Sequence, residues 1–363
     1  MKEIEMRNKL LFSIVCACAL VSFLFIGFSN GPALAADKKV RIATIVPTMA
    51  NEFWVYYVNF QKKAAKDLGV ELVVLDSQDN GERQVANIED AISQKVDGIV
   101  FVPYWGTGKV GFAKCEKAGI PVIATDCTTE GAEPQVQYKQ YIAFIGPNDT
   151  KAGYEEAKAL IAAVKPAPDG KKYIVALQGT LGTSVAIGRF KGLQMALKEN
   201  PNVVLAAEQT ANFMRDDAVK VMEDFMAAHP NIGGVWSAND GMSIGAITAI
   251  KRTTKVPGKD IIVTGLNIDP PALEAIQEGT MLWSTGGHWL MGGFATVMLY
   301  DHINGIPVPK DKCNVQLDLA SVTKENIKAF FAAYPGGQPT YDAKKYSRKY
   351  TPNAPPAYFE LRF

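Results

Sequence analysis

From Val40 onward the apolar residues follow two alternating rhythms. Residues 40–46, 71–75, 98–102, 122–125 and 141–145 are short runs rich in Ile, Val and Thr, and they read as strands. Between them apolar positions recur three and four apart. Val85, Ile88, Ile92 and Val96 mark one face of the helix predicted over 82–95. Further helices are predicted over 52–68, stopping at Gly69, and over 111–118, stopping at Gly119. The 98–102 run is apolar throughout, as in a strand covered on both faces. Strands alternating with helices imply parallel β-α-β units and a doubly wound α/β sheet.

The order then repeats. Residues 173–177, 203–207, 234–237 and 261–266 read as strands, with helices over 185–199, 216–228 and 242–252. "GVELVVLDSQDN" in the first half holds the place of "NVVLAAEQTANF" in the second, and "KVDGIVFVPY" that of "NIGGVWSAND". A whole sheet is duplicated, which a short-period solenoid does not do. Two similar open sheets predict two lobes with a cleft between them. Residues 288–303 follow as an apolar helix, 315–320 as a last strand, and 321–334 as a last helix opened by Ser321 with Glu325 behind it. Residues 335–363 carry Pro335, Pro339, Pro352, Pro355 and Pro356 and read as an irregular surface tail.

The composition supplies the material for two large cores: 363 residues, 48% hydrophobic and 21% charged. Residues 1–36 stand apart. Lys2, Arg7 and Lys9 precede an apolar stretch over 10–28, and Ala33-Leu34-Ala35 follows. That sequence of parts is a cleaved secretory signal and places the product in the periplasm; an uncleaved anchor is the alternative, since about 19 apolar residues can span a bilayer. The whole chain has 38 basic and 37 acidic residues. The signal removes Lys2, Arg7 and Lys9 with Glu3 and Glu5, so the mature chain is neutral. A neutral export product is not built for nucleic acid or an anionic membrane. Cys115, Cys127 and Cys313 are the mature cysteines. Their odd number allows one disulfide at most, and buried thiols are the equal alternative.

Ligands of open α/β sheets sit where strands end and loops lead into helices. Those loops carry Asn51, Phe53, Trp54, Tyr104, Trp105, Asp126 and Cys127 in the first half. The second half offers Thr183, Ser184, Arg189, Phe213, Asn239 and Asn267, with Trp283, His288 and Trp289 flanking a crossing. Asp and Asn give directional bonds to adjacent hydroxyls, aromatic rings cover the apolar faces of a sugar, and such a mixture suits a polyol. Each residue also has a structural reading: Trp54 as core, Asp126 as a turn residue, Asn239 as a helix cap, Phe213 as packing, and Arg189 as a solvated helix position.

Six stretches in order resemble the ribose-binding-protein family, the periplasmic sugar-binding proteins of ABC transporters, which are also similar to LacI-type effector domains. They are "ATIVPTMANEFWVYYVNFQKKAAKDLGVEL", "QVANIEDAISQKVDGIVFVP", "IPVIATD", "FIGPNDTKAGYEEA", "WSANDGMSIGAITAI" and "IIVTGLNIDPPALEAIQEGTM". The resemblance implies the type I periplasmic binding protein fold, with crossings near Gly146-Pro147, Gly287-His288 and Lys312-Cys313. The N-lobe is then 37–146 plus 288–312, and the C-lobe 147–287 plus 313–334. It also implies ligand contacts at Asn51, Phe53, Trp54, Asp126, Phe213 and Asn239. Arg189 and Asn267 complete the candidate ligand-binding set, with Tyr104, Trp105, Cys127 and His288 as a rim. Several positions depart from the family pattern. Cys127 stands where an Arg follows the sugar-binding Asp, Ile187 where a second Arg lies, Asn267 where an Asp lies, and Gly286 or Gly287 where a cleft Gln lies. The charged clamp for ribose, galactose and similar pyranoses is thus mostly replaced.

The resulting expectation is a monomeric, non-enzymatic receptor that closes on a small polar solute and delivers it to an ABC permease. It needs no cofactor and no metal. A membrane sensor is the alternative partner. A weaker rival is a dinucleotide enzyme, because Gly106-Thr107-Gly108-Lys109-Val110-Gly111 is a literal G-x-G-x-x-G. His229, His288 and His302 show no metal-ligand spacing, and no G-x-S-x-G elbow or Ser-His-Asp order stands out. No DNA-reading helix pair precedes Val40, which sets LacI-type regulation aside.

Overall fold

The structure, a computed structural model, describes residues 39–363; the signal segment read over 1–36 lies outside the described residues. Strands β1 (Arg41–Val46), β2 (Glu71–Asp76), β3 (Gly98–Phe101), β4 (Val122–Thr125), β5 (Tyr141–Pro147) and β11 (Asn314–Leu317) form one sheet in the order β2-β1-β3-β4-β5-β11. Every pairing in it is parallel. Strands β6 (Lys172–Gln178), β7 (Val203–Thr210), β8 (Gly234–Ser237), β9 (Ile262–Asn267), β10 (Trp283–Gly286) and β12 (Ala320–Thr323) form the second, in the order β7-β6-β8-β9-β10-β12. Its edge strand β12 runs antiparallel to β10. The duplicated order gives each sheet a reversal beside its first strand, β1 or β6, where crevices form in doubly wound folds.

Helices α1 (Glu52–Leu68), α2 (Gly81–Ser93) and α3 (Gly108–Ala118) connect strands of the first sheet. Helices α4 (Asp149–Ala163), α5 (Ser184–Glu199), α6 (Arg215–Ala228), α7 (Asp240–Lys251) and α8 (Pro270–Glu278) serve the second. The apolar stretch after β10 becomes a short 3-10 turn, His288–Leu290, followed by α9 (Met291–Ile303), which packs on α1 and β3. Local signals set these bounds. Asn51 caps α1 by accepting from Phe53 N at 2.9 Å, and Gly69 ends it at φ 71. No helix among the described residues is long and apolar enough to cross a membrane.

Three sequence expectations change. The strand read over 315–320 is two strands in different sheets. Val315 and Leu317 face inward from β11, and after Asp318-Leu319 the chain enters β12. The last crossing therefore lies at 318–319, not at Lys312-Cys313, and 313–317 belong with the N-lobe sheet. Ser321 does not open a helix: it lies in β12, with Oγ 3.1 Å from Thr285 Oγ1. The helix begins only with α10 (Ile327–Ala333).

The tail is also more than a surface segment. It contains a short helix, α11 (Ala343–Tyr346), and buries Tyr341, Ala343, Ser347 and Leu361. Tyr341 lies against Phe60 of α1 and Phe294 of α9, with ring centroids 5.1 and 5.6 Å away. Arg348 N donates to Asp301 Oδ2 at 2.8 Å, and Ser347 Oγ bonds the same carboxylate at 2.5 Å. The chain then returns. A Cβ on Gly287 would meet Leu361, and Phe363 packs on Phe330 of α10 at 5.1 Å. The aromatic residues hold this segment down although its prolines keep regular structure short.

Candidate functional site

The carboxyl ends of both sheets face a common, partly open cavity. Asn51, Phe53, Trp54, Asp126, Arg189, Phe213, Asn239 and Asn267 all line it, joined by Tyr104 and His288. Two proposed rim residues do not reach it. Trp105 turns aside at φ 52 and packs edge-on against Tyr104 at 5.6 Å. Cys127 is buried with Sγ 3.2 Å from Ser184 Oγ. Val185 lines the cavity too, and nothing in its sequence setting distinguishes it from core.

The N-lobe supplies an aromatic wall. Trp54 meets Phe53, Tyr57 and Tyr104 edge-to-face at 4.9, 5.4 and 6.1 Å, a favourable aromatic geometry. Asp126 follows β4 in the left-handed region, at φ 65. Tyr104 Oη donates to its Oδ2 at 3.1 Å, while Oδ1 is buried without a partner. Burial raises this carboxyl to about 6 against the opposing pull of Arg189.

The C-lobe supplies charge. Arg189 is buried and fans out to three acceptors: Nε to Asp149 Oδ1 at 2.8 Å, one terminal nitrogen to Ala238 O at 2.7 Å, and the other to His288 Nε2 at 3.3 Å. Its guanidinium also lies 5.7 Å from the centre of the Phe213 ring. Burial raises Asp149 to about 7, with Arg189 opposing. Phe213 has φ 61, a genuine outlier for so bulky a residue. Its ring occupies the space above Gly179, where a Cβ would come within 2.0 Å of Phe213 Cζ.

The carbonyl of Phe213 ties the lobes together. It accepts from Asn51 Nδ2 of one lobe and Asn239 Nδ2 of the other, both at 3.0 Å. Asn239 also caps α7 by accepting from Met242 N at 2.9 Å. The cap and the cavity wall are thus the same side chain, at Asn239 as at Asn51. Asn267 donates to Asp269 Oδ2 at 3.1 Å, within a buried network that includes Asp240 and Ser284. Further contacts between the lobes are Thr128 N to Ser184 Oγ at 2.8 Å and Arg215 to Glu52 at 3.1 Å.

The glycine-rich stretch is occupied by its own side chains. A Cβ on Gly108 would fall 2.0 Å from Thr129 Oγ1, and one on Gly111 would strike Ile88 and Phe101. These glycines let α3 pack closely, and Thr129 covers the helix start that a pyrophosphate would need. The thiols of Cys115, Cys127 and Cys313 are all unpaired.

Two doubly wound lobes, joined by several crossings and meeting over a buried polar and aromatic cavity, define a two-lobed solute-binding protein. The chain belongs to the periplasmic binding protein family, whose domain model matches residues 42–307. It is 32% identical to the ribose import binding protein of Escherichia coli, over 76% of this chain and 86% of that one. It is 33% identical to the galactofuranose-binding protein of the same organism, over 61% and 69%. A Mycobacterium smegmatis protein solved in complex with β-D-fucofuranose superposes with a TM-score of 0.72, at 28% identity, over 82% of this chain and 94% of that one.

Proposed function

We propose that this chain is an exported receptor that closes on a neutral, monosaccharide-sized polyol and delivers it to an ABC importer without altering it. The observation that carries this reading is the cavity lined from both lobes, with an aromatic wall on one side and the buried, unpartnered Asp126 Oδ1 among its lining. An acceptor buried without a partner is costly, and a ligand hydroxyl removes that cost. The relatives support the class of solute, since their names specify ribose and galactofuranose. The word import in one of those names favours transport over sensing.

On this reading residues 1–36 are removed at export, the mature protein is a periplasmic monomer, and residues near the crossings act as hinges. Ligand bonds made to both lobes at once favour the closed arrangement by their differential affinity. The test is a thermal-shift panel of D-ribose, D-galactose, D-fucose, L-arabinose, xylitol and myo-inositol, with NADH as a control. A true ligand at one hundred times its Kd stabilises by about 2.7 kcal/mol. A panel without a single shift, or tight saturable binding of NADH, overturns the proposal.

A further inference from the structure

His288 is the one site residue whose protonation pattern the surrounding groups dictate. Its ring is 1% exposed, lines the cavity, and lies 4.7 Å from the Phe53 ring. Nε2 faces a terminal nitrogen of Arg189 at 3.3 Å. A guanidinium only donates and does not lose its proton in a protein. Nε2 must therefore accept, and a neutral ring must carry its proton on Nδ1. Burial, and then the positive charge of Arg189, hold the ring neutral by pushing its pKa well below the ordinary value. That leaves Nδ1–H as a buried donor, and Nδ1 has no partner in the protein.

We infer that His288 is a specificity-determining residue of the proposed solute site, presenting a fixed Nδ1–H donor to the ligand while Asp126 Oδ1 presents a fixed acceptor. The inference rests on the reading of the cavity as a solute site and refines the class of solute. The ligand must offer an oxygen that accepts at His288 and a hydroxyl that donates at Asp126. A neutral polyol meets both demands. A carboxylate or phosphate satisfies His288 but has no proton for Asp126 and meets its charge. An ammonium group satisfies Asp126 but meets two obligate donors, His288 and Arg189. Arg189 acts here as a positioning residue: it fixes the tautomer of His288 while its Nε and other terminal nitrogen bond Asp149 and Ala238.

The test labels the full chain with 15N-histidine and records long-range 1H–15N spectra with and without each sugar of the panel above. His288 is assigned through its loss in His288→Gln. The expected result is an Nδ1–H tautomer in the free protein and a shifted Nδ1–H signal when a panel sugar binds. An Nε2–H tautomer or an imidazolium overturns the inference. So does a sugar that binds and leaves the Nδ1–H signal unmoved, while the solute-site reading survives. If no panel sugar binds at all, that reading fails first and takes the inference with it. Affinity gives a second measurement. His288→Asn keeps a donor at the Nδ1 position, whereas His288→Gln keeps only the acceptor facing Arg189. The Gln variant should lose about tenfold in Kd, the scale of one unmade hydrogen bond, and the Asn variant clearly less. Equal losses in the two variants overturn the donor role.

Discussion

The two lobes share a strand order and differ in what their loops carry. The N-lobe presents Phe53, Trp54 and Tyr104 around a single buried carboxyl, Asp126. The C-lobe presents Arg189, Asn239 and Asn267 and backs them with buried acids. Among these, Glu156 takes hydrogen bonds from Thr264 Oγ1 and Ser237 N and is raised to about 8 by burial. Asp240 takes them from Ser284 Oγ and Asp269 N. Duplication fixed where loops emerge and left open which chemistry each one bears. One lobe gives shape and apolar cover. The other gives directional bonds held by a polar frame.

The largest expected effect tests that frame. Arg189→Met leaves Asp149 buried and unpaired, and should lower stability by about 3–5 kcal/mol in urea unfolding. Pairing it with Asp149→Leu should restore most of the loss. A small loss in the single variant would mean that the C-lobe does not depend on this charge pair. Next comes Asp126→Ala on the other side of the cleft. It should weaken binding of a panel sugar by about 2–5 kcal/mol in calorimetry, by analogy with truncated buried polar partners. It should cost the ligand-free fold less, about 1 kcal/mol, because Oδ1 has no protein partner to lose and only the Tyr104 Oη bond to Oδ2 is broken. An unchanged Kd removes Asp126 from the site.

A third test uses pH. Burial raises Asp126 to about 6 and Asp149 to about 7 in the folded chain, above the ordinary carboxyl range. The folded state therefore binds protons more tightly than the unfolded state. Its ligand-free stability should rise as pH falls from 8 towards 5, by up to about 1.4 kcal/mol per pH unit for each such group, less the opposing share of His288, whose ring burial holds neutral. The melting temperature across that range checks it, and a falling curve contradicts it. Asp126→Asn should remove only the N-lobe's share of the slope. The smallest effect concerns the seam between the lobes. Ser184→Ala deletes the acceptor for Thr128 N, and should weaken binding by about 1 kcal/mol without altering the stability of either lobe.

Much of this was legible in the sequence because its signals are local. Asn51 before α1, Gly69 after it and the continuous apolar run of β3 each report their own geometry. The loop residues were legible for the same reason, since strand ends locate the site whatever the side chains are. The boundary at 318–319 was hidden because two four-residue strands abut, and neither sheet is visible in so short a stretch. Ser321 and Glu325 imitated a helix start that cross-strand pairing with β10 overrides. The same limit separates Val185 from Cys127. Both follow strand ends, but only tertiary placement turns one into the cavity and the other toward Ser184.

The returning tail has a mechanical consequence. From α10 it travels to the α1–α9 face of the N-lobe, and its last residues come back to Phe330 and Tyr334. Backbone thus passes between the lobes five times, three passages near the crossings and two more along a belt buckled at each end by aromatic rings. On the proposed hinge reading, the lobes part only as far as this belt has slack. A chain cut after Gly337 would lose both of the belt's passages and strip Tyr341 and Phe359 from the rings of Phe60 and Phe294.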